Sequence, residues 1–96
     1  MVKVRLVMPV VVYMPDGDVV HGHVHKDIEM PQAPTMNISI EVSSAFLYIQ
    51  MVVYSVEKER YIAKEGKPQN WDWPDLKKFM AKCGFTSNDR RLRGDK

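Results

Sequence analysis

Residues 2–30 read VKVRLVMPVVVYMPDGDVVHGHVHKDIEM, and this stretch decides the fold. Apolar side chains occupy every even position over 2–12, a period of two that is typical of a β-strand with one buried face. The Pro-Asp-Gly triplet at 15–17 favours a tight turn, because proline fixes φ and glycine accepts a positive φ. The even positions over 20–30 repeat the pattern with one break, at Lys26. The stretch therefore predicts a long β-hairpin.

The turn sets a register that the side chains support. A three-residue loop pairs Met14 with Asp18, so the numbers of any two opposed residues sum to 32. The two apolar faces then coincide, and the other face carries two pairs of opposite charge. These pairs are Arg5 with Asp27 and Lys3 with Glu29. Pro9 has no amide proton to donate to a second neighbour, which predicts that the first strand is an edge strand near this residue.

Three further strands follow the hairpin. Alternation of apolar and polar residues predicts a strand over 36–42, and a shorter, weaker strand is predicted over 61–64. Between them, an apolar run over 46–56 predicts a fourth strand that is apolar on both faces. Such a strand lies in the centre of a sheet, or its second face is covered by a helix or by a partner chain.

A helix is predicted over 72–83, with Asp72 at its N-cap and Gly84 just after its last turn. Its apolar stripe consists of Trp73, Leu76, Phe79, Met80 and Cys83. We therefore expect one α+β domain over residues 1–85, a curled, mostly antiparallel sheet of about five strands, barrel-like in outline, with one C-terminal helix. A flexible basic tail is expected over 86–96.

Length and composition indicate the number of domains, the cellular compartment and the charge of the protein. The 96 residues suffice for one domain, and the single cysteine, Cys83, cannot form an internal disulfide. We therefore expect a cytoplasmic protein, and the apolar runs are too short to predict a membrane span. The net charge is +2, with three basic and five acidic residues over 1–56 and eleven and seven over 57–96. This imbalance is too small to indicate nucleic-acid binding by itself.

The three histidines form the most unusual pattern in the chain. His21, His23 and His25 alternate along one predicted strand, so their side chains share a face. Neighbours at this spacing can supply two imidazoles to one metal ion, if further ligands come from elsewhere. The alternative is a solvated polar face, which we favour, and we expect no cofactor.

Basic residues of the helix and tail raise the possibility of nucleic-acid binding. They are Lys77, Lys78, Lys82, Arg90, Arg91 and Arg93. Such side chains could follow a phosphate backbone. Lysine is also the ordinary residue of a solvated helix face, so this function is an alternative rather than the leading hypothesis.

The chain lacks a phosphate-binding glycine loop, a nucleophile elbow and a Cys-x-x-Cys pair, which argues against an enzyme without excluding an unrecognised site. The leading hypothesis is a non-catalytic binding or interaction module that forms a homodimer. Tyr48, Val52 and Tyr54, on one face of the fourth strand, are the expected self-association residues. A barrel that binds a small molecule is the first alternative.

Over residues 1–64, the order of a long hairpin, a proline-rich link at 30–35 and further strands resembles small orphan proteins carried by phages and mobile gene cassettes. The resemblance implies an accessory role in bacteria or phages and implies no activity.

Overall fold

The computed structural model describes residues 1–43 and 45–93 of the chain, which form a six-stranded sheet and one helix. The elements are β1 Val2–Tyr13, β2 Val19–Met30, β3 Ile38–Val42, β4 Ala45–Ser55, β5 Arg60–Glu65, β6 Gln69–Asp72 and α1 Trp73–Cys83. The predicted class, α+β with a mostly antiparallel sheet and a C-terminal helix, is confirmed. The sheet is not closed, and β6 is a strand that the sequence pattern did not predict.

The predicted hairpin is confirmed residue by residue. β1 and β2 are antiparallel, and every opposed pair follows the predicted register, including Arg5 opposite Asp27. The amide of Met14 donates to the carbonyl of Asp18 at 2.8 Å, which closes the three-residue loop. Gly17 takes a φ of 92°, the left-handed value for which glycine is suited.

β1 lies inside the sheet, so the prediction that it is an edge strand is wrong. The strand order is β2-β1-β5-β4-β3, and β6 also pairs with β1. β5 runs parallel to β1 opposite residues 4–7, and β6 runs parallel to it opposite residues 10–13. Pro9 falls between these two partners. Its missing amide therefore interrupts no ladder, although the strand as a whole is central.

The core occupies the inner face of the sheet, which carries the even-numbered side chains of β1. Leu76, Met80 and Cys83 of α1 are buried against it. At the end of the helix, Lys26 Nζ of β2 donates to the carbonyl of Cys83 at 2.7 Å, and Cys83 Sγ donates to the carbonyl of Ser43 at 3.6 Å. Since β2 and β3 are the two outermost strands, these contacts place the end of α1 between the two edges of the curled sheet.

The helix ends where the sequence predicts. Gly84 adopts a left-handed φ of 76°, and its amide donates to the carbonyl of Met80. Phe85 folds back so that its ring lies 5.2 Å from that of Phe79. Asp72 occupies the N-cap without a side-chain hydrogen bond to the helix.

Residues 86–93, here called the C-terminal segment, pack along the free edge of β2, so the packed domain extends beyond residue 85. Thr86 exchanges two backbone hydrogen bonds with His25, and Ser87 Oγ donates to the carbonyl of His23 at 2.6 Å. Leu92 is 1% exposed and lies against Gly22, where a β-carbon would approach its side chain to 2.8 Å. One leucine in a polar sequence thus anchors most of the segment that was expected to be a flexible tail. Residues 94–96 of that expected tail lie outside the described part of the chain.

β4 is irregular in its middle. Its pairing with β5 shifts register between Ile49 and Met51, which identifies a β-bulge at Gln50. Because a bulge adds one residue, each side chain after it points to the face opposite the one that simple alternation would give it.

Among the described residues, α1 is the one helix, and it is too short and too polar to span a membrane.

Candidate functional site

The outer face of β4 carries a row of exposed apolar side chains, here called the outer patch. The helix covers the opposite, inner face of the sheet and leaves the outer face of β4 uncovered. The outer patch consists of Phe46, Tyr48, Met51 and Val53, which are 64%, 45%, 52% and 48% exposed. Between them, Leu47 and Ile49 point inward and are fully buried.

The bulge creates this row. Without an extra residue, Met51 and Val53 would share the inner face with Leu47; the bulge at Gln50 turns both outward, in line with Tyr48. Gln50 packs over Gly66, where no side chain occupies the space.

A buried glutamate hydrogen-bonds the backbone of the bulged strand. Glu65 Oε2 accepts a hydrogen bond from the amide of Tyr48 at 3.2 Å, and Glu65 Oε1 accepts one from Gln69 Nε2 at 2.9 Å. At the far end of the Tyr48 side chain, the hydroxyl donates to Asn37 Oδ1 at 3.2 Å. The patch is therefore built on a strand whose backbone and side chains are held in place.

The expected self-association set is divided between the two faces. Tyr48 points outward, whereas Val52 pairs with the buried Ala63 and packs on the inner face. Tyr54 also follows the inner face, with its ring 4.8 Å from that of Tyr61 in an edge-on contact. The assignment of these three residues to one face is thus corrected, because strict alternation does not hold across the bulge. The second apolar face that the sequence predicts for β4 is present, and its exposed residues are those of the outer patch.

Charged residues of opposite sign lie at two corners of the outer patch. Glu41 of β3 stands opposite Phe46 in the register, and Lys64 of β5 stands opposite Met51. Opposed residues of paired strands share a face, so both charges border the exposed row.

The histidine row lies on the same outer face, on β2, which is three strands away from β4 in the sheet. His25 is buried under the C-terminal segment, and His21, His23 and His25 line a shallow cavity of about 290 Å³ with Ser87, Asn88 and Asp89. Burial lowers the pKa of His25, and the charge of Arg5 lowers it further. Burial also lowers the pKa of His23, reinforced by Lys64. Within residues 1–43 and 45–93, no group of three or more histidine, cysteine or carboxylate side chains is arranged to hold a metal ion.

The predicted nucleic-acid residues lie on two different elements. Lys77, Lys78 and Lys82 are exposed on α1, and Lys77 Nζ lies 6.0 Å from the ring centroid of Trp73. In the C-terminal segment, Arg91 forms an ion pair with Asp18 at 3.2 Å. Part of this basic charge is thus engaged within the chain.

Comparisons with protein-family models, with curated proteins and with solved structures gave no match to this chain. Its function is therefore inferred from its own residues and their geometry.

Proposed function

We propose that this protein is a non-catalytic interaction module that acts as a homodimer, and that two copies meet through the outer patch. The observation that carries the proposal is the alignment of four apolar side chains, each about half exposed or more, on one uncovered sheet face. Contiguous apolar surface of this kind marks interaction sites, because water-exposed apolar area favours burial against a partner.

The size of the patch suits the centre of a dimer interface. An aromatic side chain carries roughly 150–250 Å² of surface, so Phe46 and Tyr48 together expose about 200 Å². Met51 and Val53 extend this to a few hundred Å². A stable interface buries about 800 Å² on each partner, with an apolar centre and a polar rim. Glu41, Ser39 and Lys64 on the flanking strands provide such a rim.

The charges at the corners favour a second copy as the occupant. In such a dimer the two outer faces stack, and the two-fold axis lies between them, near Tyr48 and Met51. Glu41 and Lys64 lie on opposite sides of β4, so this axis can place Glu41 of one copy against Lys64 of the other. The same operation generates the pair twice, since a two-fold interface is self-complementary. A single patch therefore supplies both halves of the interface, with matched apolar and charged regions.

Light scattering coupled to size exclusion tests the proposal at micromolar concentrations. The chain has a mass of 11.1 kDa, so a homodimer has twice this mass, about 22 kDa. The double variant Met51→Gln, Val53→Thr makes the patch polar while approximately keeping side-chain size. We expect it to raise the dissociation constant of the dimer at least about tenfold, equivalent to about 1.4 kcal/mol.

The matched control is the double variant Met36→Gln, Val56→Thr, which makes the same chemical changes at exposed residues outside the patch. It should dimerise like the wild type. A wild-type mass of one chain throughout, or equal effects of the two double variants, would contradict the proposal.

A further inference from the structure

A second cavity, at the end of the sheet beside the β4–β5 turn, carries a cluster of cations. It has a volume of about 440 Å³, within the range of small-molecule sites. Its walls are Lys3, Val4, Asp27, Ile28, Glu29, Lys58 and Arg60. None of these residues belongs to the outer patch, so this cavity is a separate feature of the molecule.

The charge of the cavity is positive once its internal ion pair is taken into account. Arg5 Nε donates to Asp27 Oδ1 at 2.7 Å and Arg5 Nη2 donates to Asp27 Oδ2 at 3.0 Å, so the carboxylate of Asp27 is engaged on both oxygens. Three cations then face one remaining carboxylate, which leaves a net charge of +2. The cations are Lys3, Lys58 and Arg60, and the carboxylate is Glu29.

Arg60 has an unsatisfied donor. Its Nε is buried and has no hydrogen-bond partner among the described residues. A buried donor without an acceptor is energetically unfavourable, and more so when the group is charged. The turn fixes the start of the strand that carries it, since Arg60 pairs with Ser55 and the preceding Glu59 takes a left-handed φ of 53°. Arg60 also lines the cavity, so an anion bound there would lie against this guanidinium.

We propose that this cavity binds a small organic anion through a phosphate or carboxylate group. Arg60 binds the anionic group through its planar guanidinium, and Lys3 and Lys58 add charge around it. Glu29 accepts a hydrogen bond from a hydroxyl or ammonium group of the same ligand.

An NMR titration of the isotope-labelled full-length chain tests the site. The probes are inorganic phosphate, glycerol 3-phosphate and malate, each added at constant ionic strength with sodium chloride as the reference salt. We expect saturable shifts at the amides of Lys3, Ile28, Lys58 and Arg60 with at least one probe, and the probe that saturates identifies the anionic group. The variant Arg60→Gln should weaken that binding at least about tenfold, as expected for loss of a charged hydrogen bond.

Lys78→Gln is the matched control, because it removes the same charge from an exposed site on α1. It should bind like the wild type. Lys58→Gln, in the exposed turn, should also weaken binding, and it provides a second test if Arg60→Gln lowers stability. Failure of all three probes to saturate in the millimolar range would overturn the proposal, as would equal losses in Arg60→Gln and Lys78→Gln. The NMR titration tests anion binding and light scattering tests dimerisation, so either proposal can fail without the other.

Discussion

Arg5 and Asp27 show how single side chains hold the outer face together. They meet across the hairpin as a bidentate pair, and the hydrogen bond from Arg5 is the main reason that the pKa of Asp27 is lowered. The Asp27 side chain is 58% exposed, so solvent screens much of the attraction. The pair therefore contributes more to register than to stability.

A double-mutant cycle with Arg5→Gln and Asp27→Asn should give a coupling free energy of only about 0.2–1 kcal/mol by chemical denaturation. The coupling should be complete above pH 3.8 and should decrease as the pH falls through the lowered pKa of Asp27 in the folded protein, because the carboxylate is protonated there. A coupling well above this range at neutral pH would show that the pair is less screened than its exposure indicates.

His25 should make the protein sensitive to mild acid. Burial and the charges of Arg5 and Arg60 lower its pKa below the ordinary 6.5, while Asp27 opposes them. The unfolded chain then takes up the proton more readily than the folded one, so stability is full above pH 6.5 and is lost as the pH falls below it. Between about pH 7.5 and about pH 5.5, the melting temperature should fall less in His25→Gln than in the wild type.

The control for this measurement is His21→Gln, at the exposed end of the same row. It should show the same decrease in melting temperature as the wild type. An identical pH dependence in wild type and His25→Gln would mean that this imidazole is not the group responsible.

Among the elements, the hairpin and the helix were predictable because local chemistry specifies them. The turn at 15–17 fixes the register of β1 and β2 without reference to any other strand. Gly84 likewise ends α1 through its own left-handed conformation. Lys26, which interrupts the apolar pattern of β2, hydrogen-bonds the end of α1, and this role depends on a contact 57 residues away. Local patterns cannot reveal such a contact.

The features that sequence did not predict are set by distant partners. β6, Gln69–Asp72, has no apolar alternation, and it is a strand because the free side of β1 beyond Pro9 accepts it. The bulge at Gln50 depends on Glu65 at the end of β5 and on Gly66 just after it. For the candidate site, sequence thus predicted an apolar excess on β4 and assigned part of it to the wrong face. It gave no indication that Arg60 would line a cavity with residues of the hairpin.

The C-terminal segment should contribute substantially to stability. Leu92 is fully buried against Gly22, so Leu92→Ala should cost about 2–5 kcal/mol of unfolding free energy, as for other buried leucines. Asn88→Ala, at an exposed position of the same segment, should cost less than about 0.5 kcal/mol. Equal and small effects in urea denaturation would show that the segment is not packed in solution.

At the scale of the whole molecule, the two faces of the sheet have different roles. The inner face is covered by α1, whose last residue, Cys83, contacts Lys26 of the edge strand β2 and Ser43 just after the edge strand β3. The outer face has no such cover over β4 and exposes the outer patch. A one-helix fold of this size buries one face of its sheet, and a second copy provides the simplest way to bury the apolar part of the other.

Intermolecular nuclear Overhauser effects in a mixture of carbon-13-labelled and unlabelled chains test this central claim most directly, because they report both association and its location. We predict effects between the methyl groups of Met51 and Val53 in one copy and the aromatic protons of Phe46 and Tyr48 in the other. A mixed sample with no intermolecular effects at these four residues, or with effects confined to another surface, would contradict the account.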